Sequence, residues 1–306
     1  MKNKCIVLFS NGLDSRLTAK IMNQKGWNVL MVFFKLPFSK NIETEVKKFS
    51  KKEKIKLKIF DCTKKNLLKE YLNIIRHPNY ARGKGVNPCV DCKIFMLKKT
   101  RQFANKNSIE LIVSGEVLGQ RPLSQTKNFL NIIEKKSLLT GRLFRPLSAK
   151  LLPETKAEKK GLIKKEDFYD FQGRQRINQM ELAKKFKISY PTPAGGCLLC
   201  EKALKNKFNK LLKRKLNSEQ VELISIGRHF IIDGCWIVLG KNEFENKIIE
   251  NIKKSYKKII PDFKAPSVVI LDKPNKILLE KVNKLINAYS NNGSLKQRKK
   301  FEQYKI

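Results

Sequence analysis

The chain has 306 residues, 41% of them hydrophobic, which is enough for two domains with a sizeable core in at least the larger. Lys and Arg number 66 against 27 Asp and Glu, a net charge of +39 that makes a polyanion the natural partner. No apolar run approaches the ~18 residues of a membrane span and the short apolar N-terminal stretch has no signal-peptide layout, so no membrane partner is expected and the location read from the sequence is cytoplasmic. Only 12 of the basic residues are Arg, and the excess is spread as +26 over residues 1–200 and +13 over 201–306. An even lysine surplus can be a compositional habit, so charge alone does not establish nucleic-acid binding.

Strand-like runs at 4–9, 27–34, 56–61 and 110–114 alternate with helical patterns at 15–25, 41–54, 64–75 and 91–107. This alternation predicts an α/β fold, a doubly wound parallel sheet covered by helices on both faces, over residues 1–150. Ligands of such a sheet sit at the carboxyl ends of its strands. Residues 151–215 read as a loop-rich and helical extension that completes the site, with a helix ending at Phe186 and another at 202–216. A smaller C-terminal α+β module is expected over 216–306. It has hairpin-like runs at 221–226, 230–233 and 235–239, Asp233-Gly234 as a turn, helices at 243–257 and 276–289, and a strand at 267–271 between them.

The first strand delivers Ser10-Asn11-Gly12-Leu13-Asp14-Ser15 to a helix N-terminus, where free N–H groups and the helix dipole bind phosphate. The segment lacks the Gly-Lys-Ser/Thr ending of a Walker loop and the spaced glycines of a dinucleotide fingerprint. It resembles the Ser-Gly-Gly-x-Asp-Ser signature of the PP-loop ATP pyrophosphatases, of the adenine nucleotide α-hydrolase-like fold. Asn11 stands at the usual first glycine and tolerates left-handed backbone. The resemblance implies that Ser10, Asn11, Gly12, Leu13, Asp14 and Ser15 hold ATP, Asp14 also serving as a catalytic residue that positions Mg²⁺ or the phosphates.

Seven cysteines in a reducing compartment are not expected to form disulfides. Cys5, Cys62 and Cys235 sit in or beside apolar runs and read as buried, whereas Cys89/Cys92 and Cys197/Cys200 form two Cys-x-x-Cys pairs. Such a pair at a loop-to-helix junction can exchange disulfides, bind zinc or an iron–sulfur cluster, or hold a low-pKa thiolate. A sulfur-handling site, a four-cysteine zinc site and unrelated buried cysteines therefore compete.

Asn87-Pro88-Cys89-Val90-Asp91-Cys92-Lys93-Ile94-Phe95 is similar to the Asn-Pro-x-x-x-Cys-Asn-x-x-x-Lys-Phe motif of tRNA 2-thiouridylases, with Lys93 in place of Asn. Ser114-Gly115-Glu116-Val117-Leu118-Gly119-Gln120, with Ser124-Gln125-Thr126 after it, resembles the Thr-Gly-Glu-Ser-Leu-Gly-Gln and Ser-Gln-Thr segments of tRNA 4-thiouridine synthetases. Together these resemblances cover residues 5–200. They imply an ATP-dependent tRNA sulfurtransferase in which Cys92 and Cys197 are catalytic and Gly115, Glu116 and Gln120 help hold the nucleotide. They also imply two routes for sulfur: a persulfide relay between Cys197 and Cys92, or a [4Fe–4S] cluster held by Cys89, Cys92 and Cys197 with one iron open. The cluster gives Cys89 a role that a two-cysteine relay does not.

His77-Pro78-Asn79-Tyr80 with Arg82 and Lys84 reads either as a basic rim of the site or as a solvated loop. Arg174 and Arg176 are candidate contacts to RNA phosphate. Gly227-Arg228-His229-Phe230 with Gly240-Lys241-Asn242-Glu243-Phe244-Glu245-Asn246 resembles the RNA-binding module of NFACT-type proteins and adds Arg228, its alternative being a packing or dimerisation domain. The 4-thiouridine synthetases carry an N-terminal tRNA-binding region, some adding a C-terminal rhodanese domain. With the loop at residue 10, tRNA capture is expected to rest on the basic surface and the C-terminal module. Sulfur is then expected from a cysteine desulfurase or free sulfide. Two other readings remain: a PP-loop amidating ligase for a small molecule, which needs neither cysteines nor charge, and a non-catalytic RNA-binding protein with a degenerate nucleotide site.

Overall fold

The computed structural model describes residues 3–81, 85–122, 124–192, 197–252 and 255–306. Two compact units divide the chain, Met1–Ala203 and Leu204–Ile306, about a dozen residues ahead of the boundary expected from the sequence.

The first unit runs β1 (Lys4–Phe9), α1 (Leu13–Gln24), β2 (Asn28–Lys35), α2 (Glu43–Glu53), β3 (Lys56–Asp61), α3 (Lys65–Arg76), α4 (Cys89–Lys106), β4 (Leu111–Ser114), α5 (Lys127–Lys136), β5 (Leu143–Phe144), the short α6 (Lys156–Lys159) and α7 (Ile177–Lys185). Its sheet is parallel in the order β3-β2-β1-β4-β5, the doubly wound arrangement expected. Cys5 through Phe9 and all of β4 are buried, as central strands covered on both faces must be. From β1 the chain winds outward through β2 and β3, then returns to place β4 on the other side. The switch point therefore lies at the carboxyl ends of β1 and β4. Leu17, Met22, Leu182 and Ala183 belong to one buried cluster, through which α7 packs on α1. Removing each large apolar side chain there from water contributes about 1.5–3 kcal/mol.

Two elements of this unit have weak sequence signals. Thr126, read as part of a motif, is the N-cap of α5 and accepts from Phe129 N at 3.4 Å. β5 is only two residues long and is defined by its pairing with Ile112 and Val113.

The second unit contains α8 (Lys205–Leu211), α9 (Ser218–Leu223), β6 (Arg228–Ile232), β7 (Cys235–Leu239), α10 (Glu243–Glu250), β8 (Lys257–Ile259), β9 (Val268–Ile270), α11 (Lys276–Tyr289) and α12 (Leu295–Lys299). Its antiparallel sheet has the order β6-β7-β9-β8 and is covered by Leu278, Val282, Leu285 and Ile286 of α11. Asp233 (φ +50°) and Gly234 (φ +77°) make the expected tight turn of the β6–β7 hairpin. The run at 221–226 is not a strand. Asn217 accepts from Gln220 N at 2.9 Å and Gln220 accepts from Asn217 N at 3.1 Å, a capping box that starts a helix instead. The helix expected to reach 257 stops at Glu250, because Lys257–Ile259 pairs with β9.

Among the described residues no helix is long and apolar enough to cross a membrane.

Candidate active site

The loop between β1 and α1 is closed by its own side chains. Ser15 Oγ donates to Gly12 O at 2.9 Å and accepts from Ser10 N and Ser10 Oγ, both at 3.3 Å. Arg16 N makes the first intrahelical bond, to Gly12 O, so the N–H groups of Leu13, Asp14 and Ser15 precede the helical ladder as anion binding requires. Leu13 and Ser15 are buried while Ser10 is exposed at the mouth.

Asn11 has φ +67°, the left-handed geometry expected of it. Its side chain has a further task absent from the sequence reading: Asn11 Oδ1 accepts from Arg16 Nη2 at 2.7 Å and its carbonyl accepts from Arg16 Nε at 3.0 Å. Arg16 is buried over the Phe49 ring and also donates to Ser189 O at 2.6 Å, tying the loop to the chain beyond α7.

Gly115 explains why β4 can end against this loop. A Cβ there would lie 2.8 Å from the carbonyl carbon and oxygen of Asp14 and 2.9 Å from Ser15 N, so only glycine permits the approach. Gln120 follows the next turn and donates Nε2–H to Asp14 Oδ2 at 2.7 Å. Asp14 Oδ1 is enclosed and without a hydrogen-bond partner. Burial raises the Asp14 carboxyl above its ordinary range, opposed by the Gln120 hydrogen bond and by Arg176 and Arg121 facing it.

Glu116 turns inward. Its Oε2 accepts from Arg145 Nε at 3.1 Å and Ser114 Oγ at 2.9 Å, and Lys93 Nζ of α4 lies 3.6 Å from Oε1. Burial works to raise this carboxyl, but Lys93 and Arg145 outweigh it and hold Glu116 ionised. Lys93, the departure from the thiouridylase motif, thus has a partner. The network fastens the end of β4 to the helix that carries Cys92.

The four paired cysteines come together from two segments. Asp91 anchors the start of α4 by accepting from Asn79 N and Tyr80 N, both at 3.0 Å. The segment after Cys197 is laced to two loops: Leu198 N donates to Phe38 O at 2.9 Å, and Val86 N and Asn87 N donate to Leu199 O at 3.0 and 3.1 Å. Cys89 Sγ and Cys200 Sγ lie 3.6 Å apart, and Cys197 also hydrogen-bonds Cys200. Cys92 donates instead to Tyr71 Oη at 3.7 Å. Hydrogen bonding with Cys197 and Cys89, helped by Arg121, lowers the exposed Cys200 thiol. Their contacts with Cys200 and burial push Cys89 and Cys197 up, and burial raises Cys92 to about 11.

The thiols that meet are therefore Cys89, Cys197 and Cys200, a different trio from Cys89, Cys92 and Cys197. Among the described residues no group of three or more His, Cys, Asp or Glu side chains is arranged to hold a metal ion. Cys92, expected beside Cys89 and Cys197 in a cluster, is turned to Tyr71 instead. Arg82, Lys84 and residues 193–196 lie outside the described residues.

Arg174 is exposed; Arg176 is half-buried at the N-cap of α7 and faces Asp14. Arg228 donates to Gly240 O at 2.9 Å and lies over the Tyr289 ring, within a knot where Glu245 accepts from Gly227 N and Lys241 N. Gln179, Arg121, Arg16 and the Arg145 network carry no motif in the sequence. The one signal for Gln179 is a polar residue spaced with Leu182 and Ala183 on the buried face of α7.

A cleft of about 720 Å³ lined by Lys4, Trp27, Glu110 and Arg142 opens at the amino ends of β1 and β4, the side opposite this chemistry.

Residues 1–167, which span the loop, the first cysteine pair and the Gly115–Gln120 segment, match the family described as Thiamine biosynthesis protein (ThiI). The chain belongs to the ThiI family. Membership agrees with the PP-loop tRNA thiolation resemblance read from the three motifs. The tRNA-specific 2-thiouridylase MnmA of a Nitratiruptor species is 26% identical over 121 residues, 38% of this chain and 35% of that protein. The chain thus covers about a third of that relative's length. A 4-thiouridine synthetase–RNA complex with bound ATP is 18% identical over 72% of this chain and 53% of its own, with a TM-score of 0.39. A predicted subunit of tRNA methyltransferase from Methanocaldococcus jannaschii is 19% identical over 47% of this chain and 69% of its own, with a TM-score of 0.33. Neither structural likeness is close enough to bear on function.

Proposed function

We propose that this ThiI-family protein is a cytoplasmic, ATP-dependent tRNA sulfurtransferase that adenylates a base carbonyl and replaces its oxygen with sulfur. One observation carries the reading: Gly115 packs against the Asp14 backbone of the phosphate loop while its neighbour Glu116 pairs with Lys93, the residue after Cys92. The end of β4 thus holds the phosphate loop beside the helix that carries the first cysteine pair. The amidating-ligase reading has no use for those cysteines.

A uracil carbonyl oxygen is a poor leaving group. In the proposed reaction it attacks the α-phosphorus of ATP, the α–β bond breaks and pyrophosphate departs. The exposed Ser10 and the N–H groups of Leu13, Asp14 and Ser15 are placed to bind the phosphates. Asp14 Oδ1, a free carboxylate oxygen, suits Mg²⁺, which commonly takes one or two carboxylates and completes its shell with phosphate and water. When bound, the ion would neutralise charge on the departing pyrophosphate. Arg121 and Arg176 face the same place.

A sulfur nucleophile then forms the C–S bond, and AMP leaves with the original oxygen. A cysteine desulfurase would pass sulfur to the cysteine group already at the persulfide level, whereas free sulfide, being fully reduced, would itself be the attacking nucleophile. A persulfide on Cys197 would leave its outer sulfur on the base, a neighbouring thiol, Cys200 in contact or Cys92 behind it, closing a disulfide that a dithiol reductant reopens. No step passes through a cluster. The target base must be reachable, so local opening of the tRNA accompanies the reaction. Arg174, Arg176 and Arg228 are proposed contacts to its phosphates.

The test is sulfur incorporation into unthiolated tRNA with ATP, Mg²⁺, cysteine and a cysteine desulfurase, read by nucleoside mass spectrometry. A thionucleoside that needs both ATP and the cysteines supports the reading; amidation of a small molecule, or RNA binding without turnover, replaces it.

A further inference from the structure

Gln179, 1% exposed on α7, donates Nε2–H to Gln120 Oε1 at 3.0 Å, and Gln120 donates Nε2–H to Asp14 Oδ2 at 2.7 Å. The direction of this chain follows from donor chemistry. An ionised carboxylate only accepts, so Gln120 must present its amide nitrogen to Asp14 and its oxygen to the opposite side. That oxygen is buried with Gln120, and Gln179 supplies its donor. A turned Gln120 amide would set its oxygen against Asp14 Oδ2 and its nitrogen against Gln179 Nε2, two unfavourable contacts in a buried place. Gln179 thus locks one of the two orientations of Gln120. Gln120 then occupies Oδ2 of Asp14 and leaves Oδ1 as the acceptor without a partner.

We propose that Gln179 is a positioning residue for ATP binding, acting through Gln120 to fix the Asp14 carboxylate so that one defined oxygen is left for the bound nucleotide. The inference rests on the reading of Asp14 as part of the ATP site. It also gives α7, which lies beyond the region matched by the family, a defined role in the first half of the reaction.

The experiment is calorimetric titration of the full chain with ATP and Mg²⁺, using Gln179→Met, which keeps length and burial but cannot donate. Gln120→Ala, the double variant and Asp14→Asn complete the set. Gln179→Met is expected to weaken ATP binding about tenfold, and the double variant to bind no worse than Gln120→Ala alone. Loss of the relay also frees the Gln120 amide to turn, so that the Asp14 carboxylate is no longer held in one orientation. The Mg²⁺ concentration that gives half-maximal ATP binding should therefore rise in Gln179→Met. If Gln179→Met does not fold, Gln179→Leu, apolar and of similar volume, replaces it.

Wild-type affinity in Gln179→Met, or a loss that simply adds to that of Gln120→Ala, overturns the relay while Asp14→Asn still reports on the ATP site. Unchanged binding in Asp14→Asn overturns the reading of the site itself.

Discussion

Cys89 Sγ and Cys200 Sγ lie 3.6 Å apart although 111 residues separate them in sequence. The contact joins the first residue of α4 to the turn after Cys197, and its consequence is unequal thiols. Its thiol neighbours and Arg121 hold Cys200 low, while burial raises Cys92 to about 11. At pH 6 iodoacetamide should therefore modify Cys200 first and leave Cys92 unmodified, and Cys200→Ser should abolish the fast phase. Peptide mass spectrometry of a timed alkylation checks this; first labelling at Cys92 contradicts it.

Gly115 and Gly12 flank the same loop and should respond differently to alanine. At Gly115 the new Cβ meets the Asp14 carbonyl at 2.8 Å, whereas at Gly12 its first neighbour is Ser10 Oγ at 3.7 Å and φ is −76°. Gly12→Ala should change stability by no more than about 0.5 kcal/mol. Gly115→Ala must move the loop and should weaken ATP binding about tenfold or more, as calorimetry would record.

Asn11 combines a left-handed backbone with a buried acceptor for Arg16. Asn11→Gly keeps the backbone but strips that acceptor, an expected loss of about 1–3 kcal/mol. Asn11→Ala adds backbone strain of roughly 1 kcal/mol or more. Chemical denaturation should rank wild type above Gly and Gly above Ala; equal stability of all three contradicts the Arg16 assignment.

His229 gives the second unit a pH dependence. It is buried, accepts from Trp236 Nε1 at 3.0 Å and contacts Ile226 O at 2.6 Å, and burial, aided by Lys207, lowers it to about 3. The unfolded histidine, near 6.5, binds a proton that the folded one refuses, so this contribution to stability is complete above about pH 6.5 and is lost as pH falls toward 3. His229→Gln should flatten the part of the stability profile between pH 4.5 and about 6.5 relative to wild type. Denaturant midpoints across that range supply the check.

Legibility of these features in the sequence follows from how local their causes are. The continuous apolar run of β1 and the small-residue loop announce themselves, and so does the Asp233-Gly234 turn, because each depends on neighbouring residues. The 221–226 run misleads because its apolar spacing suits a strand while the deciding capping box starts earlier, at Asn217. At the site, Asp14, Gln120 and the two cysteine pairs are visible as motifs. The partner of Cys89, the inward turn of Glu116 onto Lys93 and Arg145, and the reach of Gln179 are not, since each is a contact made by the fold between distant segments. Gly115 is visible as a motif residue, but the reason for it is the backbone of Asp14 beside it.

The most direct test of the central claim follows one oxygen atom. Unthiolated tRNA carrying ¹⁸O in its uridine carbonyls would be incubated with the protein, ATP, Mg²⁺ and sulfide, and the nucleotide product examined by mass spectrometry. Activation of the base by adenylation predicts one ¹⁸O in AMP for each thionucleoside formed; unlabelled AMP, or ADP as the product, would contradict it.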